Sequence, residues 1–224
     1  MDVGKKMINI LYEDNHLLVV EKPVGMLVQE DNTKDKDLLT TLKEYLKEKY
    51  EKPGNVYLGL VHRLDRVVGG VMVFAKTSKA AGRLSKQVQN HDLKKTYYAV
   101  VCGELKKNGH LENYLLKNEK TNTSYVSKEG KLSILDYEVI ENKNNLSLIK
   151  INLKTGRHHQ IRVQFSHLGY PLFGDARYNK SYKKGESIAL FAKELSFYHP
   201  VTKEELTFTL RLPNQYPFSL FYKE

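Results

Sequence analysis

The sequence has one cysteine, no tryptophan and six prolines in 224 residues. Because the lone Cys102 cannot form an internal disulfide, the fold does not depend on an oxidising compartment. No apolar run approaches the roughly 20 residues that a membrane-spanning helix needs. We therefore expect a cytoplasmic protein that does not insert into a membrane.

Several sequence patterns of enzymes are also missing. The chain contains no glycine-rich phosphate loop, no Gly-x-Ser-x-Gly nucleophile motif and no dinucleotide fingerprint. It has no cysteine pair and no cluster of carboxylates, and the adjacent His158 and His159 cannot share one helical face as a zinc-binding pair does. The sequence therefore predicts no metal site.

Positive charge is in excess. There are 36 Lys and Arg against 26 Asp and Glu, which gives a net charge of +10 and a pI near 9.4. A basic surface of this size attracts polyanions, which favours nucleic acid as a partner. A lysine-rich proteome is the alternative explanation of the same excess.

Short apolar runs separated by turn residues outnumber helical patterns, so the sequence predicts an α+β fold with a mainly antiparallel sheet and flanking helices, in one domain over residues 1–224. Helices are expected from Leu38 with Asp37 as cap, after Thr77, and on a face formed by Ile161, Phe165 and Leu168. Residues 135–140 and 146–153 read as a hairpin around residues 141–145. The polar segment 108–131 is expected to be a mobile loop or a strand-poor insertion that helps to select the substrate.

The densest group of chemically capable side chains is Val61-His62-Arg63-Leu64-Asp65-Arg66, followed by Val67-Val68-Gly69-Gly70. We expect it to be a loop at a sheet edge. Positive charge beside a carboxylate favours the anion, and a charged Asp in a basic cleft can act as a nucleophile or a base. A surface salt-bridge cluster would give the same charge pattern.

A second group is Thr155-Gly156-Arg157-His158-His159-Gln160-Ile161-Arg162. If Ile161 is buried, Arg157, His158 and Arg162 lie on flanking faces of the first turns of a helix. Such a helix start suits a phosphate or a carboxylate. Farther on, Asp175 and Arg177 are expected to form a local structural ion pair.

Six short motifs, taken in order, resemble the RluA-type family of pseudouridine synthases. They span most of the chain: Lys22-Pro23-x-Gly25, His62-Arg63-Leu64-Asp65-Arg66, Lys95-x-Tyr97-x-Ala99, Gly156-Arg157-x-His159-Gln160-Ile161-Arg162, Gly174-Asp175-x-x-Tyr178 and Leu195-x-Phe197-x-His199-Pro200. The sequence departs from the family at residues 67–68, where relatives usually carry Thr-Ser, and at His158, where Ser or Thr is more common.

The resemblance implies a pseudouridine synthase fold with a central active-site cleft and an enzyme that isomerises uridine in ribosomal or transfer RNA. It implies Asp65 as the essential carboxylate, Tyr97 against the base and Arg162 as the partner of Asp65, although Arg157 and Arg162 could exchange roles. Arg63 would enter the RNA stack where the base leaves.

Arg66, Arg157 and His159 are further expected RNA-binding residues. No cofactor is expected, because the net reaction is redox-neutral. An N-terminal accessory RNA-binding domain is expected to be absent, and a monomer is expected.

Two other functions are compatible with parts of this pattern. A non-catalytic RNA-binding or ribosome-assembly factor could keep the scaffold, although the intact Asp65, Tyr97 and Arg162 argue against it. An Asp-dependent RNA hydrolase would usually need a carboxylate cluster for metal or a His pair for acid–base work, and neither is evident.

Overall fold

The computed structural model describes residues 8–31, 33 and 35–222. The chain divides into two compact units. The first comprises the described residues up to Leu93 together with Glu194–Leu210, and the second comprises Lys94–Lys193 and the described residues from Arg211 onward. The expectation of a single domain over residues 1–224 therefore stays a prediction. None of the described helices is long and apolar enough to cross a bilayer.

The first unit combines antiparallel strands with two helices. Its elements are β1 (Asn9–Glu13), β2 (Leu17–Lys22), α1 (Leu38–Lys49), β3 (Gly59–Leu60), β4 (Gly69–Ala75), α2 (Ser78–Gln89), the end of β10 (Leu190–Tyr198) and β11 (Glu205–Thr209). β2 pairs with β1 and β4, β3 pairs with β4, and β10 pairs with β11. The glycines that the sequence suggested as part of a loop begin β4, and Gly70 pairs with Lys22.

The helices of this unit begin where the sequence predicts them. The Asp37 side chain accepts a hydrogen bond from the Thr40 amide at 2.9 Å, and the Thr77 hydroxyl accepts one from the Ala80 amide at 3.2 Å. Both residues satisfy amides that have no partner within the first helical turn. A buried cluster then joins α2 to the sheet: Leu17, Val19, Val71, Val73, Ala75, Ala80, Leu84, Leu93, Leu195 and Phe197.

The described residues of the second unit form five complete antiparallel strands, the start of a sixth and one α-helix. The elements are β5 (Lys94–Cys102), β6 (Gly109–Asn118), β7 (Thr123–Val126), β8 (Lys131–Lys143), β9 (Leu146–Leu153), α3 (Gln160–His167), the start of β10 and a short 3₁₀ helix (Phe218–Phe221). The strand order is β5-β9-β8-β6-β7. The β8–β9 hairpin is tighter than predicted, because Asn144 and Asn145 both adopt positive φ, at 54° and 56°, as a two-residue turn requires.

The prediction of an irregular segment at residues 108–131 is wrong. β6 and β7 form a hairpin there, and β6 pairs with β8 from Gly109↔Tyr137 to Leu115↔Lys131. The strand is polar because one of its faces is largely exposed, whereas Leu115 is buried on the other. A one-sided strand whose partner lies about twenty residues away gives only a weak local signal.

The third helix also departs from its predicted face. α3 ends at His167, and Leu168 is 38% exposed instead of sharing a buried face with Ile161 and Phe165. Residues 160–165 are buried on every side of the helix. A helix enclosed all round has no single apolar stripe to read from sequence.

Candidate active-site loops

Residues 61–68 form the loop between β3 and β4 and carry Asp65. Leu64 and Val68 are 7% and 2% exposed, so the loop turns two apolar side chains away from solvent. The Asp65 carbonyl accepts a hydrogen bond from the Val68 amide at 3.0 Å, which closes a tight turn with the exposed Arg66 at its tip. The Asp65 side chain is half-buried. The sequence prediction of a loop at this place is confirmed.

His62 fixes the point at which this loop leaves the sheet. The β3–β4 ladder stops at the pair Leu60↔Phe74, and the next amide of β4, that of Val73, donates to His62 Nε2 at 3.1 Å. The imidazole therefore takes the place of the next backbone acceptor. Because Nε2 accepts, the neutral ring carries its proton on Nδ1.

Lys22 holds the far side of the same turn. Its side chain is almost completely buried, with 1% exposed, and Nζ donates to the carbonyl oxygens of Pro23 at 2.9 Å and Arg66 at 3.2 Å. The Gly25 amide donates to the same Arg66 oxygen at 2.9 Å, from a backbone with φ of +85° that favours glycine. The Lys-Pro-x-Gly motif thus sets the backbone path next to Asp65.

Arg66 and Arg63 are both exposed but differ in their contacts. Arg66 Nη2 forms an ion pair with Asp35 Oδ2 at 2.7 Å, and Nε donates to the Gly25 carbonyl at 3.1 Å. The structure records no hydrogen bond or ion pair between Arg63 and another described residue. Arg66 therefore ties the loop to the preceding segment, and Arg63 extends from it.

Tyr97 belongs to the second unit, where β5 positions it. It is 6% exposed and pairs with Ile151 of β9. Lys95 projects from the same face of β5, and its Nζ lies 3.3 Å from where a Cβ on Gly156 would be. Burial lowers the pKa of Lys95. Two of the sequence motifs, one around Tyr97 and one around Gly156, therefore meet within this unit.

The turn before α3 is held by Gln160. Its Oε1 accepts from the Arg157 amide at 3.0 Å and the Thr155 hydroxyl at 2.8 Å. His159 precedes the helix in a left-handed conformation, with φ of 54°. Arg157 and His158 also lie before the helix, so the prediction that they occupy its first turns is wrong. The helix begins at Gln160 because this side chain folds back onto residues 155 and 157.

Arg162 belongs to the second unit and is buried. It is 5% exposed, and its Nε and Nη2 donate to Asp175 Oδ2 and Oδ1 at 2.8 and 2.7 Å. Asp175 is fully buried, and the Tyr178 ring lies with its centre 5.2 Å from the guanidinium carbon. A bidentate pair of this kind fixes the plane of the guanidinium group.

The local ion pair predicted between Asp175 and Arg177 is wrong. Arg177 donates to Asp175 Oδ1 through its backbone amide, at 3.0 Å, while its guanidinium donates to the carbonyl of Asn122 at 3.0 Å. Arg177 and Arg157 are both exposed, and Arg157 Nε donates to the Leu132 carbonyl at 3.0 Å. Burial therefore separates Arg162 from both neighbouring arginines.

Tyr178 connects the Arg162 site to the turn before α3. Its hydroxyl accepts from the Ser124 amide at 2.8 Å and lies 2.8 Å from His159 Nδ1. His158 Nδ1 lies 2.9 Å from the Ser124 hydroxyl, and the two imidazole rings are 3.7 Å apart between centres. Burial raises the pKa of Tyr178. His159, 8% exposed, therefore lies inside a side-chain network.

The predicted site residues fall into two sets. Arg63, Asp65 and Arg66 share the loop of the first unit. Tyr97, Arg157, His159 and Arg162 lie in the second unit. Lys22 and Asp175 belong to two of the sequence motifs, but the motifs do not indicate their roles. Lys22 holds the Asp65 turn, and Asp175 holds Arg162. Among the described residues, no group of three or more His, Cys, Asp or Glu side chains is arranged to hold a metal ion.

Two solved RNA pseudouridylate synthase domains share this fold. Human RNA pseudouridylate synthase domain containing 4 superposes with a TM-score of 0.77 at 22% identity, covering 92% of this chain and 88% of that one. Human RNA pseudouridylate synthase domain containing 1 gives 0.75 at 23% identity, covering 94% and 86%. At these identities the likeness establishes the fold, a mixed α+β fold with mainly antiparallel strands.

Sequence comparison defines the family. The model of the RNA pseudouridylate synthase family matches residues 16–167. Ribosomal large subunit pseudouridine synthase D of Zymomonas mobilis is 34% identical over 92% of this chain and 69% of its own length. An uncharacterized RNA pseudouridine synthase of Aquifex aeolicus is 35% identical over 93% and 71%. The chain belongs to the RNA pseudouridylate synthase family, and it is an isomerase that converts uridine in RNA to pseudouridine.

Proposed function

We propose that this isomerase acts on uridines in the RNA of the large ribosomal subunit, with Asp65 as its essential carboxylate. Relatives named for the large ribosomal subunit, from Zymomonas mobilis and Vibrio cholerae, are each 34% identical over 92% of this chain. The observation that supports Asp65 most directly is the construction of its turn. Lys22 and Gly25 both donate to the Arg66 carbonyl next to it, and the His62 ring ties the start of the loop to Val73 of β4, which holds one half-buried carboxylate in a fixed place.

The reaction breaks the bond between N1 of uracil and the ribose, turns the base and joins its C5 to the same ribose carbon. C5 loses a proton and N1 gains one, so the net change is redox-neutral. A base stacked in RNA must first be extruded, at a cost of a few kcal/mol. Arg63, exposed on the loop, would stack in the vacated space.

The remaining residues have distinct proposed roles. Tyr97 would pack against the base and assist removal of the C5 proton. Arg162 would orient the Asp65 carboxylate, because Asp175 already fixes the plane of its guanidinium. Arg66 and Arg157 would contact RNA from exposed positions, and His159 would support the RNA-binding turn through Tyr178. We propose that residues 1–224 act as one catalytic domain, as a cytoplasmic monomer.

Transcripts carrying tritium at C5 of uridine test this proposal. Purified protein should release tritium from large-subunit ribosomal RNA, whereas the Asp65→Asn variant should release none while still binding the transcript. The matched control is Asp136→Asn, an exposed carboxylate paired with His110 and Lys154, which should keep wild-type turnover. Release from transfer RNA alone would overturn the substrate assignment, and release by Asp65→Asn would overturn the role of Asp65.

A further inference from the structure

The first unit contains a surface cavity of about 430 Å³ between α2 and the turn that follows β10. Its lining includes Arg83, Lys86, Lys203 and Tyr198, with Asp92 as the single acidic residue. Side chains of the 61–68 loop do not line it. It is therefore a feature separate from the Asp65 turn.

Two cations of this cavity are held close together by one neutral oxygen. Arg83 Nη1 and Lys203 Nζ donate to the same oxygen, the carbonyl of Pro200, at 2.9 and 3.3 Å. Within the described part of the chain, Arg83, Lys86 and Lys203 form no ion pair. Converging positive charges on one neutral acceptor leave an electrostatic potential that an anion would satisfy.

The helix that supplies two of these cations is basic throughout. α2 reads Ser-Lys-Ala-Ala-Gly-Arg-Leu-Ser-Lys-Gln-Val-Gln, with three basic and no acidic residues. Its apolar positions, Ala80 and Leu84, are buried against the sheet, so the basic positions lie on the exposed side. A solvated helix face usually mixes both charges, and this one carries a single sign.

The two walls of the cavity, α2 and the end of β10, are joined by hydrogen bonds. Gln87 of α2 donates to the Tyr198 carbonyl at 2.7 Å and accepts from the Tyr198 amide at 2.8 Å. Lys203 adopts φ of 68°, a left-handed conformation that costs a non-glycine residue of the order of 1 kcal/mol. The turn thus holds Lys203 in place before any ligand arrives, which reduces the ordering cost of binding.

Tyr198 adds an aromatic surface to the charged one. It is 42% exposed, whereas its neighbour Phe197 points into the core and is 1% exposed. Only the backbone of Tyr198 bonds to Gln87, so its ring is available beside the cations. An exposed aromatic ring among unpaired cations is the combination that binds unpaired RNA, with the ring stacking on a base and the cations contacting phosphates.

We propose that this cavity is a second RNA-binding site, which grips the sugar–phosphate backbone of an unpaired stretch of the substrate through Arg83, Lys86 and Lys203 and stacks one base on Tyr198. It would contribute binding energy equally before and during the isomerisation. The proposal rests on RNA as the substrate of this family and not on which RNA is used.

The test compares two double variants that remove the same charge. Lys86→Gln with Lys203→Gln alters the cavity, and Lys43→Gln with Lys47→Gln alters α1 in the same unit. Binding of the full chain to a large-subunit ribosomal RNA transcript is measured over a range of salt. Loss of two phosphate contacts should weaken binding about 25-fold at 0.1 M salt and make the log–log salt slope shallower by about 1.4, whereas the α1 variant should change little.

Tritium release measured in parallel separates this site from catalysis. For the cavity variant KM should rise with kcat unchanged, which is the signature of binding that does not change during the reaction. Equal effects of the two double variants on binding, or a fall in kcat without a rise in KM, would overturn the proposal. If wild-type protein binds the transcript but releases no tritium, the substrate assignment fails. The binding comparison between the two double variants still tests whether the cavity binds RNA.

A second pair of variants tests the stacking. Tyr198→Phe keeps the ring and should bind like wild type, whereas Tyr198→Leu should weaken binding about tenfold, in line with the loss of one stacked base. The backbone bonds to Gln87 survive in both. Equal affinity of Tyr198→Leu and Tyr198→Phe would remove the base-stacking part of the proposal.

Discussion

Two buried cations, one in each unit, donate to different kinds of oxygen. Lys22 donates to the backbone carbonyls of Pro23 and Arg66, beside Asp65. Arg162 instead forms a bidentate ion pair with the fully buried carboxylate of Asp175. Bonds to carbonyl oxygens fix the path of a backbone, and a carboxylate compensates a charge and orients a planar group.

The contrast shows that a buried cation can either fix the path of the backbone or balance the charge of a buried carboxylate. If Lys22 mainly fixes the Asp65 turn, its loss should affect turnover more than stability. If Asp175 mainly balances Arg162, its loss should affect stability first. Lys76, paired with Glu13 at 2.8 Å and with a side chain 9% exposed, offers a third buried cation in the first unit for comparison.

The largest expected effect is on the Arg162 pair. Asp175→Ala leaves a buried guanidinium without its carboxylate, so the free energy of unfolding should fall by about 3–5 kcal/mol. Urea unfolding monitored by circular dichroism measures this. The exposed Asp136→Ala serves as a control and should change stability by less than about 1 kcal/mol. A loss below 1 kcal/mol for Asp175→Ala would show that Arg162 does not depend on this carboxylate.

The next effect concerns the Asp65 turn. Lys22→Met removes the bonds to Pro23 and Arg66, and a displacement of the turn by about 1 Å should lower kcat about 30- to 100-fold. The control Lys76→Met removes another buried ammonium group and should lower stability while leaving kcat near wild type. Tritium release and urea unfolding on both variants give the comparison. Equal kcat values would mean that Lys22 has only a structural role.

The smallest expected effect concerns the Lys76–Glu13 ion pair and its dependence on pH. Burial raises the pKa of Glu13, but hydrogen bonds from Lys49, Lys76, Tyr50 and Tyr45 outweigh it and lower the pKa to about 2. A carboxyl with a lowered folded pKa stabilises the protein above its ordinary value of 4.5, and this contribution is lost as pH falls from 4.5 towards 2.

Glu13→Gln should therefore cost about 2 kcal/mol of unfolding free energy at pH 7, and the difference from wild type should shrink below pH 4.5. Unfolding in urea at pH 7, 4 and 3 measures the difference, with turnover at pH 7 unchanged. A difference that stays constant from pH 7 to pH 3 would contradict the ionised network around Glu13.

Local patterns were sufficient for much of the fold. The caps Asp37 and Thr77, the strand β4 and the β8–β9 hairpin follow from nearest-neighbour chemistry, and each is confirmed. Local patterns do not predict the hairpin of β6 and β7, because its pairing with β8 is non-local and one face of β6 is largely exposed. The sequence predicts α3 at the right place in the chain but predicts a single buried face, whereas residues 160–165 are all buried.

The sequence by itself determined the family and the order of its motifs, because six short motifs in series leave few alternatives. It also determined which residue types could perform the chemistry, with Asp65, Tyr97 and Arg162 as proposed catalytic residues. Only the tertiary structure decided which cations are buried and what holds them. Lys22 and Arg66 are 44 positions apart, and Arg162 and Asp175 are 13 apart. Such bonds depend on how the chain folds back on itself, which neither composition nor local periodicity encodes.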